Sequence, residues 1–324
     1  MIAQEPLADR AASRMLCLDR ATGELADRHF RDLVNLLHPG DVLVVNNTRV
    51  SAVRLFGRRA TGGACEVLLT KRLTSRQYRA MVKPAKRLTV GTTVHFDGGF
   101  QATVVAEEGT SFRVLEFPDD ESVAAALQTG VVPLPPYITQ KLTERERYQT
   151  VFNSHGESSA APTAGLHFTP EILAEIQRKG IQRVEVNLEV GVDTFRPVMV
   201  DDIRDHEMHG EVCTISDEAA QLINQRTGRC IAVGTTSVRT LESFADANGQ
   251  VQSGEQLTRI CIAPGYEWRV VQGMLTNFHM PRTTMLLMLA AMTGRDPLMA
   301  AYRHAIAERY RFLSFGDCMF IANS

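Results

Sequence analysis

The sequence predicts an α/β protein, a mixed sheet with helices on both faces, into which a small antiparallel β-barrel is inserted. Three observations lead there. Beyond residue 132, amphipathic helical stretches alternate with short apolar runs. The run Asp41-Val42-Leu43-Val44-Val45 near the start has the same buried-strand character. Between the two lies a strongly basic stretch cut by glycine and proline into closely spaced strands. The expected organisation is a first part of the α/β domain over residues 1–48, the inserted basic barrel over 49–131, and the rest of the α/β domain, with most of the active site, over 132–324.

In chain order, residues 27–37 read as a helix feeding the strand at 41–45. From Arg49 the pattern changes. Val53-Arg54-Leu55-Phe56 and Cys65-Glu66-Val67-Leu68-Leu69 alternate or run apolar, and strands at 92–96, 100–106 and 111–117 follow, separated by Asp97-Gly98-Gly99 and Glu107-Glu108-Gly109. Short strands at this spacing, with turn residues between them, form a small barrel or sandwich. Pro133-Leu134-Pro135-Pro136-Tyr137 is a stiff connector, because each proline fixes φ and removes a donor. Helical character resumes at 144–148. Residues 170–179 form a helix closed by Gly180, 183–190 a strand, 217–226 a helix and 230–233 an apolar strand. Further strands are expected at 257–263 and 269–275, and helices at 284–293 and 298–310.

Composition fits this plan: 324 residues, 44% hydrophobic and 22% charged, exclude fibrous and disordered classes. The longest apolar stretch, Met285 to Met292, is broken by Thr293 and Gly294 and is too short to span a bilayer, so no membrane partner is expected. The six cysteines form no Cys-x-x-Cys pair and the first residues carry no leader, which points to a reducing, cytoplasmic setting. The net charge of -2 alone argues against a nucleic-acid partner, yet it is the sum of two opposed fields. From Arg49 to Val90 there are eleven basic residues and one acid, Glu66, leaving a balance of −12 on the remainder. Such a basic segment is an electrostatic footprint for a polyanion, although cations on exposed strand faces also serve to block edge pairing.

Ligands of α/β sheets bind beyond the carboxyl ends of strands, so the polar clusters that follow apolar runs are where chemistry is sought. Asn46-Asn47-Thr48-Arg49 offers two amides and a guanidinium, suited to a base edge or a carboxylate, though Asn and Thr are equally common in turns. Gly234-Thr235-Thr236-Ser237 leads from a strand into a helix bearing Arg239 and Glu242, a position whose backbone N–H groups favour an anion, unless the hydroxyls are only N-caps. Thr163-Ala164-Gly165-Leu166-His167-Phe168 joins small residues, which let a ligand approach the backbone, to a histidine that titrates near neutrality. Asn277-Phe278-His279 follows a strand in the same way. His206, His209 and Glu211 have a spacing compatible with a metal, but the His-Glu-x-x-His signature is missing, as are the glycine-rich motifs of nucleoside triphosphate and dinucleotide sites.

Taken in series, Val44-Val45-Asn46-Asn47-Thr48-Arg49-Val50, Tyr148-Gln149-Thr150-Val151-Phe152, Ala161-Pro162-Thr163-Ala164-Gly165-Leu166-His167-Phe168, Gly234-Thr235-Thr236-Ser237-Val238-Arg239-Thr240-Leu241-Glu242, Thr276-Asn277-Phe278-His279-Met280-Pro281 and the closing Phe312-Leu313-Ser314-Phe315-Gly316-Asp317 resemble the S-adenosylmethionine:tRNA ribosyltransferase-isomerase (QueA) family of queuosine biosynthesis. The resemblance covers nearly the whole chain in order. It implies a cytoplasmic, monomeric enzyme with no metal or prosthetic group. S-adenosylmethionine would be its co-substrate, and 7-aminomethyl-7-deazaguanine at the tRNA wobble position would receive the ribosyl group. The products implied are epoxyqueuosine-tRNA, adenine and methionine.

Such a reaction needs a base to take a proton from the carbon beside the sulfonium, an acid to help adenine leave, and neutral donors around the ribose. His167 and His279 are the candidates for proton transfer, with Glu242 or Glu211 as alternative bases. Asn46, Asn47, Arg49, Thr163, Gly165, Phe168, Thr235, Thr236, Ser237, Arg239 and Asn277 are the candidates for holding S-adenosylmethionine or the wobble base. The basic segment 49–90 would hold the anticodon arm. Where the family commonly has Leu-His-Val-Gly-x-Gly-Thr-Phe, Glu189 and Asp193 replace a histidine and a glycine. The competing reading is a paralogous S-adenosylmethionine enzyme, or a metal-assisted enzyme built on His206, His209 and Glu211, acting on a small metabolite.

Overall fold

The computed structural model describes residues 2–195, 198–200 and 202–323, with the side chains of Asp193 and Phe195 outside the described part. The chain begins β1 (Arg14–Asp19), β2 (Leu25–His29), α1 (Leu33–Leu36), β3 (Val42–Asn46) and β4 (Thr48–Val50). It continues through β5 (Val53–Arg59), β6 (Ala64–Arg72), β7 (Gln77–Lys83), β8 (Thr93–Phe96), β9 (Gln101–Glu108), β10 (Phe112–Glu116) and α2 (Asp120–Thr129). Then come β11 (His155–Ser158), α3 (Pro170–Arg178), β12 (Gln182–Leu188), β13 (Glu211–Ile215), α4 (Asp217–Asn224), β14 (Cys230–Val233) and α5 (Gly234–Phe244). The last elements are β15 (Gly254–Thr258), β16 (Gly273–Asn277), α6 (Thr284–Thr293), α7 (Arg295–Ala307) and β17 (Cys318–Ala322). Two compact units result: Met1–Arg49, Pro135–Gly156 and Ala161–Ser324 form one, and Val50–Leu134 with Glu157–Ala160 the other.

The larger unit is built on a nine-stranded mixed sheet in the order β15-β13-β12-β3-β14-β16-β17-β1-β2. Its middle, β12, β3, β14 and β16, is parallel. Every residue of β3, β14, β16 and β17 is buried. That explains their unbroken apolar character, since a strand covered on both faces has no polar side. Leu43 and Val45 of β3 join Phe30, Phe168, Ile231 and Leu275 in one core. Because the four strands run the same way, the residues that follow them emerge along one sheet edge. Thr235 and Arg239 lie on α5, which starts directly after β14 at Gly234, where φ is +82°. No side chain caps this helix. The hydroxyls of Thr235 and Thr236 lie within its first turn instead of serving as N-caps.

Several element boundaries differ from the sequence reading for identifiable reasons. The helix expected at 27–37 is strand β2 up to His29, because β2 pairs antiparallel with β1, Arg14 opposite His29. Local helical spacing yields there to a tertiary ladder. The strands expected at 257–263 and 269–275 are shifted, β15 starting three residues earlier and β16 ending two residues later. Between them the N–H groups of Arg269, Val270 and Val271 turn onto the carboxylate of Glu242. The helix α7 begins three residues before the expected 298, behind Gly294, whose φ of +82° ends α6.

The smaller unit is a closed antiparallel barrel, β10-β7-β6-β5-β8-β9. Alternation along its strands turns Val53, Leu55, Val67, Leu69, Ala80 and Val82 inward. The helix α2, which turn spacing alone did not reveal, is capped by Asp119, whose side chain accepts from the Ser122 N–H. Of the ten basic residues from Arg54 to Arg87, seven are exposed: Arg58, Lys71, Arg72, Arg76, Lys83, Lys86 and Arg87. Arg54 and Arg79 pair with Glu66 and Glu108. Among the described residues no helix is long and apolar enough to cross a membrane.

Candidate active site

A small, largely enclosed pocket lies in the larger unit beside α5. Its apolar wall is made by Met208, Ile260, Ile262, Met285 and Met288, and its polar side by Thr194, His209, Glu211, Thr235, Thr236 and Arg239. Glu211, at the start of β13, is 3% exposed. Its Oε1 accepts from the Gly191 N–H at 2.9 Å and from the Thr194 hydroxyl at 3.0 Å, and its Oε2 from Nη1 of Arg239. Burial alone would raise its pKa. The nearby His209 ring, the Arg239 charge and the Gly191 N–H outweigh that and hold the carboxyl below its ordinary range. Nε2 of His209 lies 3.4 Å from Oε1. It is buried and makes no hydrogen bond, as do the hydroxyl of Thr236 and both Nε and Nη2 of Arg239. Four buried polar atoms without partners line one pocket. A fold leaves such atoms unpaired at a cost of about 1–3 kcal/mol each, so their concentration marks a place prepared for a ligand.

A second polar group sits where β16 ends. Nδ1 of His167 lies 2.8 Å from the Ser13 hydroxyl, and the Asn277 amide reaches Nε2 at 3.2 Å. Asn277 also accepts from the Thr163 hydroxyl at 3.1 Å. Both ring nitrogens of His167 are therefore engaged. Burial, with Arg10 and Arg311 adding to it, pushes its pKa down to about 4. His279, whose Nε2 lies 2.8 Å from the Thr276 hydroxyl, is pushed to about 4 by burial as well. Both imidazoles are neutral at pH 7.

The sequence matches the queuosine biosynthesis protein family over residues 1–321. The chain belongs to that family. Among solved structures it is similar to the crystal structure of the S-adenosylmethionine tRNA ribosyltransferase of Thermotoga maritima, at 33% identity and a TM-score of 0.55, covering 99% of this chain and 96% of that one.

Of the residues singled out for this queuosine family member, the pocket gathers Glu211, Thr235, Thr236 and Arg239. The polar group at β16 gathers His167, Thr163 and Asn277. Others are committed to the fold. The carboxylate of Glu242 receives four donors, Tyr266 Oη and the Arg269 N–H on Oε2, and the Val270 and Val271 N–H groups on Oε1. Its lone pairs are filled, which corrects its candidacy as a base. Ser237 donates to the Val233 carbonyl inside α5. Phe168 is fully buried against Phe30 and Phe152. A Cβ on Gly165 would meet Phe152 and Thr150 at 2.7 and 2.8 Å, so the glycine serves packing. Asn46 extends the β3–β12 ladder, bonding both the N–H and the carbonyl of Leu188.

Asn47 bonds Glu185 and Asn187, while Arg49 is exposed and pairs with Glu146 and Asn153. Neither lines the pocket. Glu189 lines a separate groove with Asn47 and Glu185, and the side chain of Asp193 lies outside the described part. The metal reading of His206, His209 and Glu211 meets a physical obstacle: the cation at Glu211 is Arg239. Among the described residues no three His, Cys, Asp or Glu side chains are grouped to hold a metal ion. What the sequence missed is His209 as a pocket histidine. Its spacing from Glu211 was visible, but Arg239, thirty residues along the chain, was not seen to join them.

Proposed function

We propose that this protein is an S-adenosylmethionine:tRNA ribosyltransferase-isomerase. It moves the ribosyl moiety of S-adenosylmethionine to 7-aminomethyl-7-deazaguanine at the wobble position of tRNA and releases adenine and methionine. The observation that carries this reading is the 33% identity, over 99% of the chain, to a protein titled S-adenosylmethionine tRNA ribosyltransferase. The pocket beside α5 supports it with an apolar wall for a thioether chain and a polar side for an amino acid and a ribose. S-adenosylmethionine is a co-substrate, and no prosthetic group takes part.

Within this reading His209 moves the proton beside the sulfonium. It touches the pocket and stands against Glu211, which is anchored by Gly191 and Thr194. A histidine steadied by a fixed carboxylate is a common general base. Glu211 itself, with a lowered pKa and Arg239 attached, is a weak base and acts by orienting His209. The proton taken by His209 goes to the departing adenine, whose bond to the sugar breaks with the electron pair; the wobble amine bonds to the sugar and gives up a proton to solvent, and the carbon–sulfur bond breaks with its electrons going to sulfur, so methionine leaves neutral at sulfur. Thr235 faces the ribose. His167 acts through Asn277, which it orients, and His279, neutral at pH 7, is the second proton carrier. The exposed cations of the barrel hold the phosphates of the anticodon arm. The enzyme works as a monomer in the cytoplasm.

The test is transfer of label. S-adenosylmethionine carrying a tritiated ribose is incubated with tRNA bearing the 7-deazaguanine precursor, and the digested nucleosides are separated. Label in one modified nucleoside is expected. Label that stays in small molecules would refute the assignment.

A further inference from the structure

We infer that Arg239 reads the amino-acid end of the sulfonium co-substrate, its Nε–Nη2 edge taking the carboxylate. This rests on the transferase reading and goes beyond it, because that reading does not say which residue holds the carboxylate of the co-substrate.

Arg239 is 6% exposed. Glu211 occupies Nη1. Nε and Nη2 are buried in the same pocket with no hydrogen-bond partner. These two atoms form the side-on fork of a guanidinium, whose parallel N–H bonds match the two oxygens of a carboxylate. A lysine would bring the same charge without that geometry. The ion pair with Glu211 fixes the plane of the fork, so its orientation is set before a ligand arrives. Thr236, one helical turn before Arg239 on α5, contributes a third buried atom without a partner, its hydroxyl. The helix carrying both residues is eleven residues long and uncapped by any side chain at its start, so its amide end adds partial positive charge.

The charge balance selects the ligand class. Glu211 already neutralises Arg239, so a phosphate dianion would leave surplus negative charge in a buried site. A monocarboxylate with a neighbouring ammonium adds none. The ammonium of the same amino acid finds the carboxylate of Glu211 nearby. Met285, Met288, Ile260 and Ile262 then face the methylene chain. A tRNA phosphate is the competing occupant of the fork.

The test compares two inhibitors of adenine release, with precursor-bearing tRNA at saturation. S-adenosylhomocysteine keeps the amino-acid end, whereas methylthioadenosine lacks it. In the unsubstituted protein S-adenosylhomocysteine is expected to inhibit about 10- to 100-fold more tightly, the range for a buried charge-assisted pair of bonds. In Arg239→Lys the ratio falls to about 3 or less while the methylthioadenosine constant stays the same. Thr236→Val, which leaves the ion pair intact, lowers the ratio about 3- to 10-fold. Equal constants for the two inhibitors in the unsubstituted protein would overturn the inference without any variant having to fold. So would a ratio that survives in folded Arg239→Lys, and a loss confined to tRNA affinity would hand the fork to a phosphate. Absence of any adenine release would overturn the transferase reading itself, and this inference with it.

Discussion

Glu211→Gln probes the centre of the pocket. The carboxylate accepts from Gly191, Thr194 and Arg239 and is 3% exposed. An amide has one acceptor oxygen. If that oxygen faces Arg239, the amide NH2 confronts the Gly191 N–H, and the reverse orientation sets donor against donor at Arg239. Either way a guanidinium that is 6% exposed loses its counter-charge. Breaking a buried pair from one side costs about 3–5 kcal/mol, a large share of the roughly 5–15 kcal/mol that holds a domain folded. Urea denaturation at pH 7 reads that loss as a lower midpoint at unchanged slope. The contribution of the ionised carboxyl is complete above its unfolded pKa of 4.5 and is lost as pH falls through the lowered folded value, so the two proteins converge in acid. Single-turnover adenine release, measured where the variant is still folded, falls about 10²- to 10⁴-fold as His209 loses its orienting partner. A variant within about 0.5 kcal/mol in stability and about threefold in rate would refute both the ion-pair argument and the proton-transfer role.

Replacing His209 with Asn lowers the single-turnover rate about 10²-fold or more with stability within about 1 kcal/mol, and equal rates would remove it from the chemistry. Because the pKa values of His167 and His279 fall from 6.5 to about 4 on folding, the unfolded chain binds their protons first. Their contribution to stability is whole above pH 6.5 and lost as pH drops towards 4, and a denaturation series from pH 7 to 4 that slopes less steeply in His167→Gln than in the parent protein checks it, an unchanged slope counting against it. Gly165→Ala destabilises by about 1–3 kcal/mol by driving a methyl into Phe152 and Thr150, read by thermal unfolding, and a neutral result would reopen a ligand role for this glycine. Lys86→Glu with Arg87→Glu weakens tRNA binding across all sequences and flattens the slope of log affinity against log salt by about one to two units, whereas an unchanged slope would make these exposed cations mere surface.

Legibility in the sequence followed the range of the forces. The helix α6 was readable at both ends, because Thr283 caps it and Gly294 stops it within the local sequence. Gly180, with φ of +81°, closed α3 in the same way. Turn spacing made a small antiparallel barrel or sandwich legible, and the pairing of β8 with β5 and β9 closes it as a barrel. The strand β2 was not, since its conformation is set by pairing to β1 and by Asp27, which accepts from Tyr310 and His304 far along the chain. Site residues divide on the same line. That Thr235, Thr236 and Arg239 share a pocket was legible because strand, glycine and helix lie in one stretch of sequence. Phe168, Ser237 and Glu242 stand beside these positions in the sequence, and only packing distinguishes a residue facing the pocket from its neighbour facing the core. His209, two residues before β13, meets Arg239 of α5 only through the order of the strands in the sheet.

The most direct test of the account is a structure of the protein crystallised with S-adenosylhomocysteine and an anticodon stem-loop carrying the precursor base. The account predicts ligand density beside α5, with carboxylate oxygens within hydrogen-bond distance of Nε and Nη2 of Arg239 and the sulfur beside His209. Ligand bound away from Arg239, for instance against Asn277 and His167 at the end of β16, would contradict it.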